Sequence, residues 1–367
     1  MSGALTSRPR VGTTRRGALL AGAGAALGVA LAGRAHAGPA HAGPRLRVAP
    51  DGGGDFATVQ EAVDATPDHP GTPWTIALAP GVYRETVKIP ESKTGLTLLG
   101  GTGDPRDTVI VHDNAAGTPK PDGSGTYGTS GSATVTARPD GFTARRITFA
   151  NDWLRADHPE ITSGTQAVAI KVMGDRSLFD RCRFLGHQDT LYADTRHVSL
   201  TARQLFHRCY VEGDVDFVFG RATAVFHGCE LRTLDRDVDF TPYGFVFAPS
   251  TAAGTRYGYL AHRCRITTTA PAGAYKLARP WVPSSDPTAR PSLVVRESLL
   301  GDGIDAARPY ADMREQYPWQ GFFFREWANR GPGAVVADPA ERPRLTAAGA
   351  AEHRPAAYLG GWRPAVG

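Results

Sequence analysis

A right-handed parallel β-helix, an all-β solenoid built from one chain, is the architecture this sequence predicts, and three observations predict it. A phrase recurs: Phe179-Asp180-Arg181-Cys182-Arg183-Phe184 is echoed at Phe206–Val211 (FHRCYV), Phe226–Leu231 (FHGCEL) and Leu260–Ile266 (LAHRCRI). Versions without cysteine stand at Phe142–Phe149 (FTARRITF) and Leu293–Leu299 (LVVRESL). The cysteines at 182, 209, 229 and 264 are spaced as solenoid coils are, at about 20 to 35 residues. Finally, alternation such as Arg-Cys-Arg-Phe and Cys-Glu-Leu is strand-like, with Cys and one apolar neighbour facing inward, while long helical periodicity is nearly absent. A β-sandwich would instead need regular hairpins with Asn-Gly or Asp-Gly turns, and few such turns separate the phrases.

In chain order, residues 1–37 read as an export signal. Thr14-Arg15-Arg16-Gly17 precedes an apolar run from Ala18 to Ala32, then Ala35-His36-Ala37 offers small residues for cleavage. The paired arginines point to the twin-arginine route, and the run is too short and glycine-rich to span a membrane comfortably. Residues 38–45 form a short tail, and 46–367 form the solenoid domain. Thr58–Ala65 is the one helical stretch near its start, expected to cap that end. Segments 112–131 and 153–164 are polar and Gly/Pro-rich, and read as loops projecting from the coils. The chain after Val335 lacks the repeat and is expected to cap the far end.

The signal also accounts for the charge. The formal net charge is +5, but residues 1–37 hold five arginines and no acid, so the remainder carries 36 basic against 36 acidic residues. A neutral mature chain gives no electrostatic footprint for nucleic acid. It is expected to be secreted, free of the membrane and monomeric. Four cysteines in so long a chain do not make a disulfide scaffold, and their spacing fits no zinc pattern. They read as an internal ladder of small side chains, with a Cys209–Cys229 disulfide left open after export.

Two segments carry the chemistry: Gly186-His187-Gln188-Asp189-Thr190-Leu191-Tyr192 and Gly213-Asp214-Val215-Asp216-Phe217-Val218-Phe219-Gly220. Each places a carboxylate in an apolar, β-prone run, where burial costs several kcal/mol unless the charge is paired. At about 20–30 residues per coil, Gln166, Gln188/Asp189 and Asp216 fall at nearly the same place on three successive coils. Two amides and two carboxylates then converge on one outer groove. A Gln or Asp in a solenoid turn is otherwise a capping ladder. Arg279 and Trp281, at i and i+2 in Lys276-Leu277-Ala278-Arg279-Pro280-Trp281, share a strand face, where the arginine can reach the carboxylates and the indole can stack on a sugar.

At these residues the chain resembles the pectin methylesterases. Gly81-Val82-Tyr83-Arg84-Glu85, Gln166-Ala167-Val168-Ala169, the two segments above, Leu277-Ala278-Arg279-Pro280-Trp281, and Phe324-Arg325-Glu326-Trp327 with Gly331-Pro332-Gly333-Ala334 follow in that family's order, across roughly residues 46 to 335. The resemblance implies a carbohydrate esterase on a β-helix, acting on methylated homogalacturonan (pectin) with no cofactor and no metal. It implies Asp216 as nucleophile, Asp189 as acid and then base, Gln188 and Gln166 as oxyanion donors, and Arg279 as the partner of Asp216. Trp281, Phe217 and Tyr192 become apolar walls of the groove, and Thr129 a candidate sugar contact. His187, His227 and His262 read as structural neighbours.

Three positions depart from the pattern. Ala278 replaces a common Gly, Gly244–Ser250 (GFVFAPS) replaces a Thr-Ala-containing stretch, and Asp214 stands where Thr is frequent. Asp214 is expected to share the face of Asp216, raising the local carboxylate pKa values and the pH optimum. The alternatives are an esterase for another acyl group, a glycoside hydrolase with paired carboxylates, a polysaccharide-binding solenoid and a calcium-dependent lyase. The hydrolase would carry Asp-Asp and Gly-His-Gly clusters and the lyase a cluster of acidic metal ligands, none of which is evident. A binding solenoid would not need both carboxylates, both amides and the arginine.

Overall fold

The computed structural model describes residues 43–367. The expected export segment 1–37, and most of the 38–45 tail, lie outside the described residues. The rest coils into three parallel sheets of ten, eight and seven strands, each strand pairing with the equivalent strand of the next coil. One coil runs Ser177–Asp180, Arg183–Leu185, Leu191–Ala193, and the next runs Arg203–His207, Tyr210–Gly213, Val218–Gly220. Parallel strands closed by right-handed crossovers give the β-helix that the repeat predicts.

The recurring phrase is the corner between the first and second sheets. Each corner turns on one residue in the left-handed region: Arg146, Arg181, Arg208, Gly228, Arg263, Glu297 and Ala328, with φ between 51° and 65°. The next residue points inward, which stacks Cys182, Cys209, Cys229 and Cys264 in the core. Each thiol from Cys209 onward bonds the carbonyl of a phenylalanine one coil back: Cys209 to Phe179 at 3.4 Å, Cys229 to Phe206 at 3.2 Å and Cys264 to Phe226 at 3.3 Å. All four cysteines are free, so the Cys209–Cys229 disulfide does not form in this structure. In-register parallel strands hold the two side chains side by side, whereas a disulfide needs Cβ atoms turned toward each other. Beside the thiols, Phe179, Phe206 and Phe226 stack at 5.0 and 4.9 Å.

Helix Val59–Ala65 starts at a Thr58–Glu61 capping box and covers the N-terminal end. The Gly-Val-Tyr-Arg-Glu motif ties it down: Glu85 accepts N–H bonds from Val59 at 2.7 Å and Gln60 at 3.0 Å, at the positive end of the helix. At the other end, Glu326 of the late motif pairs with the fully buried Arg342 (3.0 Å), and the backbone at Leu345 joins the last strand. This part of the C-terminal segment caps the solenoid as expected. The remainder does not. Ala347–Glu352 and Pro355–Leu359 turn back along the side, covering the row Leu178, Leu205, Val225, Leu260 and Val294 on the outer face of the first sheet. That row is apolar on the outside as well as the inside, so it needs a cover.

Candidate active site

Both singled-out segments form the corner that enters the third sheet. The Ala167 N–H donates to the Gln188 carbonyl and the Asp189 N–H to the Val215 carbonyl, each at 3.0 Å. In a parallel ladder these bonds put Ala167, Asp189 and Asp216 on one rung of three successive coils, and Gln166, Gln188 and Val215 on the rung before. Neighbouring coils lie about 4.8 Å apart. Asp189 and Asp216 both take positive φ, 65° and 51°, a conformation non-glycine residues seldom adopt and that clusters at functional sites. The glycine that opens the second segment permits this crowding: a Cβ on Gly213 would lie 2.3 Å from Phe217 Cβ and 2.6 Å from the His187 carbonyl.

Arg279, just past strand Tyr275–Ala278, reaches back across two coils to Asp216, with Nε 2.9 Å from Oδ1 and Nη2 2.5 Å from Oδ2. Its guanidinium also lies over the Phe245 ring, 4.2 Å from the centroid. The fork fixes the Asp216 carboxylate in orientation as well as charge. Burial, and then the Asp216 charge beside it, push the Asp189 carboxyl well above the usual carboxylate range, with Arg279 opposing. Burial also raises Asp216, against the pull of Arg279. Two carboxyls one coil apart, both raised by burial and only one of them gripped by a cation, are set up for different jobs.

Asp214 is fully buried and lies in a different network from Asp216. The positive φ at Asp216 interrupts the two-residue alternation that would have put both on one face. Burial works to raise the Asp214 pKa, but His187 and Arg155 overcome it and hold the group below the usual range. Arg155 is bidentate on it (2.7 and 3.2 Å), His187 Nδ1 lies at 3.3 Å and Arg236 Nε at 3.7 Å. The Asp214 charge does act to raise both Asp189 and Asp216, and at Asp189 Arg155 works against it.

The groove floor is the outer face of the third sheet. Tyr192 and Phe219 stack at 4.1 Å, and Trp281 leans on both at 6.0 and 5.4 Å. Lys171 lies 4.3 Å over Tyr192, and its Nζ bonds Ser130 at 2.9 Å, next to Thr129 in the short turn Gly128–Gly131 at the groove edge. Phe217 does not belong to the wall. It is 0 % exposed in the main core, packed inward with Val218. The outward aromatic is Phe219, one residue after the inward Val218 of the same strand. Arg155, distant in sequence and in a segment read only as a loop, left no signal of its own. Gln166 is half-buried, and its carbonyl accepts the Ala116 N–H. Among the described residues no group of three or more His, Cys, Asp or Glu is placed to hold a metal ion.

The model of the pectinesterase family matches residues 45–356, nearly the whole described chain. The chain belongs to the pectinesterase family. Among its relatives, a pectinesterase of Ralstonia nicotianae is 32 % identical over 318 residues, 78 % of this chain and 79 % of that one. Pectinesterase 31 of Arabidopsis thaliana is 36 % identical over 245 residues, 65 % and 69 % of the two chains. The solved pectin methylesterase PemA of Erwinia chrysanthemi superposes with a TM-score of 0.77 at 31 % identity, covering 88 % of this chain and 98 % of that one. The carrot enzyme gives 0.73 at 30 %, covering 88 % and 95 %. This pectinesterase is therefore a carboxylic ester hydrolase on a parallel β-helix.

Proposed function

We propose that this pectinesterase hydrolyses the C6 methyl esters of homogalacturonan to methanol and pectate through an aspartyl acyl-enzyme. Asp216 attacks the ester carbonyl carbon, and the carbonyl oxygen becomes an oxyanion facing the Gln188 and Gln166 amides. One such donor is worth about 3 kcal/mol in comparable sites. Collapse breaks the bond to the methoxy oxygen, which leaves as methanol with the proton held by Asp189, and an anhydride joins C6 to Asp216. Asp189, now a carboxylate, takes a proton from water as it attacks that anhydride. The C6 acid departs and gives up its remaining proton to solvent, Asp216 is regenerated as a carboxylate, and Asp189 is again protonated. Throughout, Arg279 keeps the nucleophile ionised and aimed, while Tyr192, Phe219 and Trp281 give the sugar rings an apolar floor. The enzyme works as a monomer outside the cell, delivered by the signal in residues 1–37.

The observation that carries this reading is the Arg279 fork on Asp216, one coil from an Asp189 whose carboxyl burial pushes well above the usual range. Methanol release from highly methylated pectin, measured beside an Asp216→Ala variant, tests it. Methanol from the intact enzyme and none from the variant is the expected result. A folded, intact enzyme that releases no methanol, or a variant that retains the activity, would overturn it.

A further inference from the structure

The Gln188 side chain is held by its oxygen. Oε1 accepts from Thr165 Oγ1 at 2.7 Å and from Arg155 Nη2 at 3.2 Å. A guanidinium has only donors, so the amide atom facing Arg155 must be the oxygen, which turns the –NH2 the other way. Arg155 is not a free surface arm. Its other contacts are the bidentate pair with Asp214, a carboxylate that is fully buried and cannot be left unpaired without a large desolvation penalty. The loop that carries it is anchored as well: Trp153, 1 % exposed, stacks on His158 at 5.4 Å, and its backbone N–H donates to Asn151 Oδ1 at 3.2 Å.

We propose that Arg155, locked by the buried Asp214, is a positioning residue that fixes and polarises the Gln188 amide so that its –NH2 meets the developing oxyanion. A cation hydrogen-bonded to the amide oxygen draws electron density from nitrogen and makes the N–H groups stronger donors. The fork can do this because one guanidinium spans both acceptors, and an ammonium, a point donor, does not reproduce that geometry. The pair thus acts on the transition state through Gln188 and touches no substrate atom itself. This inference rests on the assignment of Gln188 as an oxyanion donor.

A double-mutant cycle on pectin demethylation tests it. The variant Arg155→Met/Asp214→Asn removes both charges together, so no buried carboxylate is left unpaired. It is expected to lower kcat by about tenfold or more, the scale of a misplaced catalytic group. Its KM should stay within about twofold, as for an interaction made only in the transition state. In a Gln188→Ala background the same two changes should alter kcat by less than about twofold, because the group they position is gone. An equal fall in both backgrounds would overturn the proposal and leave the pair a purely structural one. Gln188→Ala with an unchanged kcat would overturn the donor assignment, and the proposal with it. Arg155→Lys separates charge from geometry: it should restore thermal stability but not kcat, and full restoration of kcat would assign the effect to charge alone.

Discussion

The contact that orients Asp216 is the guanidinium of Arg279, a part-buried and bidentate pairing. Its removal has a defined sign. Arg279 lowers the pKa of Asp216 and also that of Asp189, so losing the cation raises both. In the proposed mechanism the acid limb of the pH–rate profile reports Asp216 losing its proton, and the alkaline limb Asp189 losing its own. In Arg279→Met both limbs should therefore move to higher pH, the acid one by about one to three units, the usual effect of an adjacent opposite charge. A profile of kcat/KM against pH measures this, and an acid limb that stays put would remove Arg279 from its role. Asp189 and Asp216 were legible from the sequence because each breaks an apolar strand run, Gln188 because the coil period aligns it beside them, and Arg279 because it shares a strand face with Trp281. Phe217 was misplaced and Arg155 passed over for physical reasons. The positive φ at Asp216 resets the inward–outward alternation, and a loop arginine declares its partner only when folding brings Asp214 to it.

The element that best shows how the coils impose order is the end of the first sheet. Register aligns Asp180, His207, His227, His262 and Arg296 on five successive coils. His207 bonds Asp180 at 2.8 Å, the imidazoles stack at 5.8 and 4.9 Å, and Glu297 lies 3.4 Å from His262 Nε2. His227 and His262 were read as structural from their place in the repeat phrase, and the ladder, which His207 joins, is why. His227 and His262 share a hydrogen bond between Nδ1 atoms at 2.9 Å, so one of the two nitrogens must lack a proton. Burial and then the neighbouring His227 depress His262 from its ordinary 6.5 to about 4, with Arg296 adding to this and Glu297 opposing. A folded-state pKa below the unfolded one means that the unfolded chain takes up the proton first. The stabilising contribution is therefore complete above about pH 6.5 and is lost as pH falls toward about 4. Melting temperatures across this window should fall for the intact enzyme and fall less steeply for His262→Gln. Equal slopes would mean that the ladder does not set the acid limit of stability.

At the scale of the whole molecule, the sequence repeat carried the fold because stacking makes every coil solve the same packing problem. The C-terminal segment escaped because it solves another, covering an apolar outer row that belongs to no single coil. The core bears on the proposed export of the enzyme. Its four thiols are free and buried, and those of Cys209, Cys229 and Cys264 bond carbonyls of the preceding coil, so the interior is complete without oxidation. A solenoid that closes in a reducing compartment can be exported already folded, which is the property of the route that the Arg15-Arg16 pair suggests. An unfolded export route, followed by folding outside, would instead expose four cysteines to oxidation at the stage when their ladder has not yet formed. Enzyme made in a reducing cytoplasm should therefore be fully active and titrate four buried thiols after denaturation. In the native host, Arg15→Lys/Arg16→Lys should leave that active enzyme inside the cell and clear it from the medium. Activity in the medium undiminished by the paired substitution would rule the twin-arginine route out, and fewer than four thiols in the secreted enzyme would show that its cysteines are oxidised after export.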